Sequence, residues 1–295
     1  MYMKILSVIT LIFIIAWLVE KILAKIIKKP QGNFLTEILA SKGFQILFAS
    51  FIGILIIKFL LPLISEHLAL KHYVAGFSCV FILILYKILK IKFKFLLVNI
   101  IFATVLILTN DAFISFRLPI LGSIGVGNYF EIVLIIWLVL ASYAFKLYDD
   151  IKGLAPWAIM IIMTAISLTA FFTHQSLIST VSLIFIVAII GVLRSSLFQM
   201  KNRIGKTYTS LLGLIIGFLA LEAGRIEDTG ALNALVPISV LAVPLLEALL
   251  AIKRKYINGK SLAGQYIHDR LVKLGFNHRP AILMLISLIA VTSVV

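Results

Sequence analysis

The residues of this sequence able to do chemistry are the few charged ones that interrupt its apolar segments. Glu247 is the most unusual, because it stands well inside the apolar stretch 234–252, where a carboxylate is costly and tends to face a cavity or a partner. Downstream, GQYIHDRLVKLGF (Gly264 to Phe276) is a polar, basic patch with a single histidine, His268, and Arg270, set between two of the most apolar segments of the chain. Asp149 and Asp150 form an adjacent pair in YAFKLYDDIKGLA, where they can cap and solvate a loop or pair with Lys146 and Lys152. Carboxylates are the hard oxygen ligands that magnesium takes, whereas a lysine meets phosphate directly as a point charge on a flexible stem. The balance between the two kinds of residue decides which chemistry is open to the chain.

Other chemistries find little support. Cys79 is the only cysteine and lies in an apolar run, which excludes an intramolecular disulfide and a cysteine-based metal site. GSIGVG at Gly122 is read as a connection with no strand before it, not as a dinucleotide fingerprint. GRIEDTG, Gly224 to Gly230, is polar and turn-rich and likewise reads as a connection. No serine–histidine–aspartate spacing, Walker motif or heavy-metal cluster is present, and no internal period suggests the inverted repeats of a secondary transporter.

The elements that must carry these residues are membrane helices. The chain is 62% hydrophobic, its mean hydropathy is +1.15, and runs of spanning length recur throughout, far beyond what a soluble core of this size needs. Polar punctuation divides it into about ten segments, near 5–23, 44–64, 74–90, 95–109, 129–147, 156–172, 177–194, 207–221, 234–252 and 281–295. Expected, then, is an all-α integral membrane protein, a single polytopic domain over 1–295. The first segment carries Glu20 and Lys21 at its far end and no small-residue cleavage site, so it reads as a retained helix.

The net charge of +15 could suggest nucleic acid, but its distribution suggests topology. The odd-numbered connections between segments hold 21 of the 27 basic residues, and the even ones hold only Lys71, Arg117 and Arg225. By the positive-inside rule the five odd connections are cytoplasmic and both chain ends face outward. Membrane lipid, not nucleic acid, is the partner this implies, with each basic residue near the surface contributing about 1 kcal/mol of attraction to anionic lipid.

From Asn233 the sequence reads NALVPISVLAVPLLEALLAIKRKYINGKSLAGQYIHDRLVKLGFNHRPAILML. Here it resembles the polyprenyl-phosphate hexosamine-1-phosphate transferases, whose members show a helix ending P-L-x-D, an R-R and a G-K/M-S-P segment, an H-x-H-H-x-L loop, L-G-(F/L/I), and a helix opening on S/H-R-x-A. The corresponding residues are Pro244, Leu245 and Glu247; Lys253, Arg254 and Lys255; Gly259, Lys260 and Ser261; His268, Arg270 and Leu271; Leu274, Gly275 and Phe276; and Arg279 with Ala281. The resemblance is strongest over 233–292. Weaker matches lie in YAFKLYDDIKGLA, at Asp149, Gly153, Leu154 and Ala155, and in GKTYTSLLG, at Gly205, Leu212 and Gly213.

The resemblance implies a bacterial inner-membrane protein of cell-envelope glycan synthesis, with polyprenyl phosphate and a UDP-sugar as partners and magnesium held by aspartates. Here those acidic positions change sign. The paired aspartates of the family fall near Tyr86 and Lys87, and the aspartate of its G-D-x-G-S segment becomes Lys206. In the third basic loop Asp149 survives while a second aspartate becomes Lys152, and only His268 remains of three histidines. A magnesium site in such a basic field is disfavoured, since a like charge at 4 Å costs about 4 kcal/mol at an effective dielectric near 20. The expectation is therefore a divergent member without a metal or other cofactor, with metal-dependent transfer lost. Lys87, Lys152, Lys206, Glu247, His268 and Arg270 are then its substrate-binding residues. Two alternatives remain open: an active, magnesium-dependent transferase with a site rebuilt from Asp149, Asp150, Glu247 and Asp269, in which Asp149 is catalytic, and a transporter of anionic lipids.

Overall fold

The computed structural model describes residue 10 and residues 13–22, 41–60, 94–108, 115–118, 122–125, 130–194, 203–226, 231–254 and 266–293. Helices form where the sequence is apolar for long enough. After helical residues 13–22 come α1 (Lys42–Leu60), α2 (Lys94–Leu108), α3 (Phe130–Tyr148), α4 (Leu154–Phe172), α5 (Ser176–Leu193) and α6 (Lys206–Ala223). Of these, α3 to α6 are long and apolar enough to cross a bilayer. The expected segment 74–90, with Cys79 in it, lies outside the described residues.

The expected segment 234–252 is broken into α7 (Leu235–Val240) and α8 (Ala242–Ile252). Pro244 has no N–H to give the carbonyl of Val240, and its ring crowds that position. The chain turns at Leu241, whose N–H donates to the Pro237 carbonyl at 3.2 Å. A short helix, α9 (Ile267–Lys273), then leads to α10 (His278–Ser293).

Close approach of backbones holds the bundle together. A Cβ added at Gly213 would lie 2.9 Å from the Phe145 Cβ and 3.0 Å from the Ala141 carbonyl, and one at Gly217 would lie 3.0 Å from the Ala141 Cβ. The two glycines are four residues apart, so they share one face of α6 and let it cross α3 at short range. Within the same contact the Ser210 hydroxyl is 2.6 Å from that of Ser142 and 3.2 Å from the Asn99 amide nitrogen, so α2, α3 and α6 share one buried polar cluster.

The all-α expectation needs one correction. Four short strands, β1 (Ser115–Leu118), β2 (Gly122–Gly125), β3 (Arg225–Ile226) and β4 (Ala231–Asn233), form a sheet in the order β2-β1-β4-β3. The β1–β2 and β3–β4 pairs are antiparallel, and β1–β4 is parallel. GSIG of the supposed connection is thus itself a strand, and a strand precedes it. Two helix connections meet here and satisfy each other's backbone groups. Segments of two to four residues carry too little alternation to announce this in sequence.

Contacts between connections follow the parity expected of a membrane protein. Among the described residues, the even connections around 120 and 228 meet in the sheet, and Gln175 of a third donates to the Arg225 carbonyl at 2.6 Å. Among the described residues, the odd connections around 150, 204 and 266 meet at the opposite ends of the same helices, at Asp149, Gly205 and Tyr266.

Candidate functional site

Asp149 directly follows α3, and its carboxylate reaches across to the start of α6. Oδ1 accepts the N–H of Ile204 at 2.9 Å and that of Gly205 at 3.2 Å, and Oδ2 also lies 3.2 Å from the Gly205 nitrogen. Gly205 sits at φ +109°, a conformation that disfavours any side chain. Its carbonyl then accepts the N–H groups of Tyr208 and Thr209 to open the helix. The positive end of α6 is thereby occupied by a carboxylate of the chain itself. Burial raises the Asp149 pKa above the ordinary 3.8, against the opposing pull of the two backbone N–H groups and of Arg203.

Asp150 is as fully engaged. One of its oxygens pairs with the Lys206 ammonium, the other accepts the Tyr266 hydroxyl at 3.1 Å, and Arg203 donates to its backbone carbonyl at 2.8 Å. Burial, and next the Asp150 charge, push the Tyr266 phenol well above its ordinary range. Three segments far apart in sequence, around 150, 204 and 266, are so tied at one end of the bundle.

The α9 cap is fastened by its own polar residues. Asp269 accepts the N–H of Tyr266 at 3.0 Å, one turn back. Gly275, at φ +98°, ends the helix, and the Phe276 N–H returns to the Leu271 carbonyl at 3.2 Å. This gives the L-G-F element a structural role. His268 is buried, with Nε2 2.9 Å from His278 Nδ1 and the rings edge to face. Burial, and next the neighbouring His268, lower the His278 pKa from its ordinary 6.5, against an opposing pull from the Lys152 backbone.

Glu247, on α8, faces Tyr148 at the end of α3. Both side chains are buried, and neither carboxylate oxygen nor the phenol oxygen has a hydrogen-bond partner of good geometry among the described residues.

The structure thus gathers Asp149, Lys152, Lys206 and His268 at one end of the bundle, with Arg270 exposed on α9 and Glu247 beneath that cap. Lys87 lies outside the described residues. Lys206 is paired with Asp150 but keeps about half its side chain in solvent, and Lys152 is exposed. His268 is buried and meets the exposed His278. Sequence reasoning missed His278, Tyr148 and the backbone N–H groups of Ile204 and Gly205. Only the G-K start of α6 hinted at the last of these.

Among the described residues, no three histidine, cysteine, aspartate or glutamate side chains converge to hold a metal ion. The donor set also fits magnesium poorly, because the oxygens of Asp149 and Asp150 are already committed to N–H, ammonium and phenol donors.

No family model matches the chain. Two curated proteins are similar to it. One is the probable undecaprenyl-phosphate N-acetylglucosaminyl 1-phosphate transferase of Bacillus subtilis (strain 168), 29% identical over 154 residues, which make up 51% of this chain and 43% of that protein. Its relatives are polyprenyl-phosphate sugar-1-phosphate transferases. The second of them is the decaprenyl-phosphate N-acetylglucosaminephosphotransferase of Mycolicibacterium smegmatis, 28% identical over 120 residues, or 36% of this chain and 30% of that transferase. The matched stretches span less than half the length of either transferase.

Proposed function

We propose that the chain is a divergent member of this transferase family in the bacterial cell membrane. On this reading it binds a polyprenyl phosphate or a nucleotide sugar through cations, and metal-dependent transfer is lost. Its topology is about ten spanning helices with five basic cytoplasmic loops. The side-chain oxygens of Asp149 and Asp150 are bound internally while Lys152, Lys206 and Arg270 reach solvent around them, and that is the observation carrying the reading. A lipid phosphate is an anion that such a rim attracts, and lysine and arginine hold it without a metal.

The second reading, an active transferase, draws on Glu247, whose carboxylate has no partner among the described residues. Transfer of radiolabelled sugar phosphate from UDP-N-acetylglucosamine to undecaprenyl phosphate separates the two. The first expects none with or without magnesium. Chelator-sensitive transfer lost in D149N would establish the second.

A further inference from the structure

A second charged site lies on helix 13–22. Gly191 of α5 lets that helix come close, since a Cβ there would fall 2.6 Å from the Ala16 Cβ and 3.5 Å from the Trp17 nitrogen. The crossing brings Trp17 beside the end of α5. Lys21, one turn on, places its ammonium 4.2 Å from the centroid of the indole, and the Arg194 guanidinium lies 6.0 Å from the same centroid. Both cations are exposed. They are at most about 10 Å apart, a little over one Debye length at physiological salt, so one anion between them can lie within reach of both. Neither has a carboxylate partner among the described residues. The neighbouring Glu20 is taken by Lys42, 2.7 Å away.

An indole flanked by two exposed cations suits an amphipathic anion at the membrane surface. Tryptophan belongs at that interface, and the cytoplasmic leaflet, where positive-inside topology puts Lys21 and Arg194, is anionic. We infer that Trp17, Lys21 and Arg194 form a binding site for a phosphate-bearing anion, with the phosphodiester headgroup of an anionic phospholipid as its membrane source. The site is independent of the proposed polyprenyl-phosphate reading, because it shares no residue with it.

The test is titration of the full chain, purified in neutral detergent, with short-chain phosphatidylglycerol, phosphatidylcholine of equal chain length, and inorganic phosphate. Tryptophan fluorescence is followed, with W17F as the blank. Phosphatidylglycerol should give a saturable change, phosphatidylcholine none. Each of K21Q and R194Q should weaken binding about fivefold and the double variant about thirtyfold, while K21R/R194K, which keeps both charges, retains it. If inorganic phosphate binds with the same dependence on the two cations, the site stands and its anion can be soluble. No saturable change with either anion, or a double variant that binds like the wild type, overturns the inference.

Discussion

The Asp149 carboxylate lies 2.9 Å from the backbone nitrogen of Ile204, closing the end of α3 onto the start of α6. Without it two buried or half-buried N–H groups, those of Ile204 and Gly205, are left unsatisfied. D149A should therefore destabilise the protein by about 1 to 3 kcal/mol. D149N, which keeps one oxygen, should cost less. Thermal denaturation in detergent checks both, and an alanine variant as stable as the wild type would contradict the capping role.

The same residue sets a sign for pH. An acid whose pKa in the fold lies above its ordinary value binds its proton more tightly folded than unfolded. Its contribution is therefore fully present below the ordinary 3.8 and is lost as pH rises through the higher folded value. The stability of wild type relative to D149N should fall as pH is raised from about 4, the lower edge of that window. A rise over that range would mean the backbone N–H groups outweigh burial.

Lys206 and Asp150 offer a test by opposite substitutions. If Lys206 attracts lipid phosphate, K206Q weakens binding about fivefold, and D150N, which frees the ammonium from its ion pair, strengthens it. An exposed pair of this kind adds at most about 1 kcal/mol to stability, so neither change should alter folding much. Undecaprenyl phosphate titrations in nanodiscs read the effect. A purely structural lysine would leave binding unchanged in both variants.

The α3–α6 crossing depends on Gly213. G213A places a methyl 2.9 to 3.0 Å from Phe145 and Ala141, and overpacking of this kind costs about 1 to 3 kcal/mol. G213L should prevent stable assembly. Denaturation midpoints follow the first, and yield of folded protein the second.

Spanning helices were legible because runs of about 20 apolar residues have few other uses, and α1 to α6 and α10 fall within a few residues of the expected segments. The described connections also group by parity, as Gln175 meets Arg225 and Asp149 meets Gly205. The four-stranded sheet was not legible, since each strand is too short to show a period. Nor was the break at Leu241 read, although Pro237 and Pro244 marked it. At the site, the resemblance singled out Asp149 and Lys206 but not what they touch. The partners of Asp149 are backbone groups 55 and 56 residues away, and His278 becomes a partner of His268 only once α9 and α10 fold together.

On the proposed function this face holds lipid phosphate with cations and without a metal ion. Binding of undecaprenyl phosphate to the purified wild-type protein, measured with magnesium and again with excess chelator, tests it most directly. Equal affinity under both conditions, reduced in K206E, is the expected result. Affinity that collapses on chelation and returns with magnesium would contradict the account.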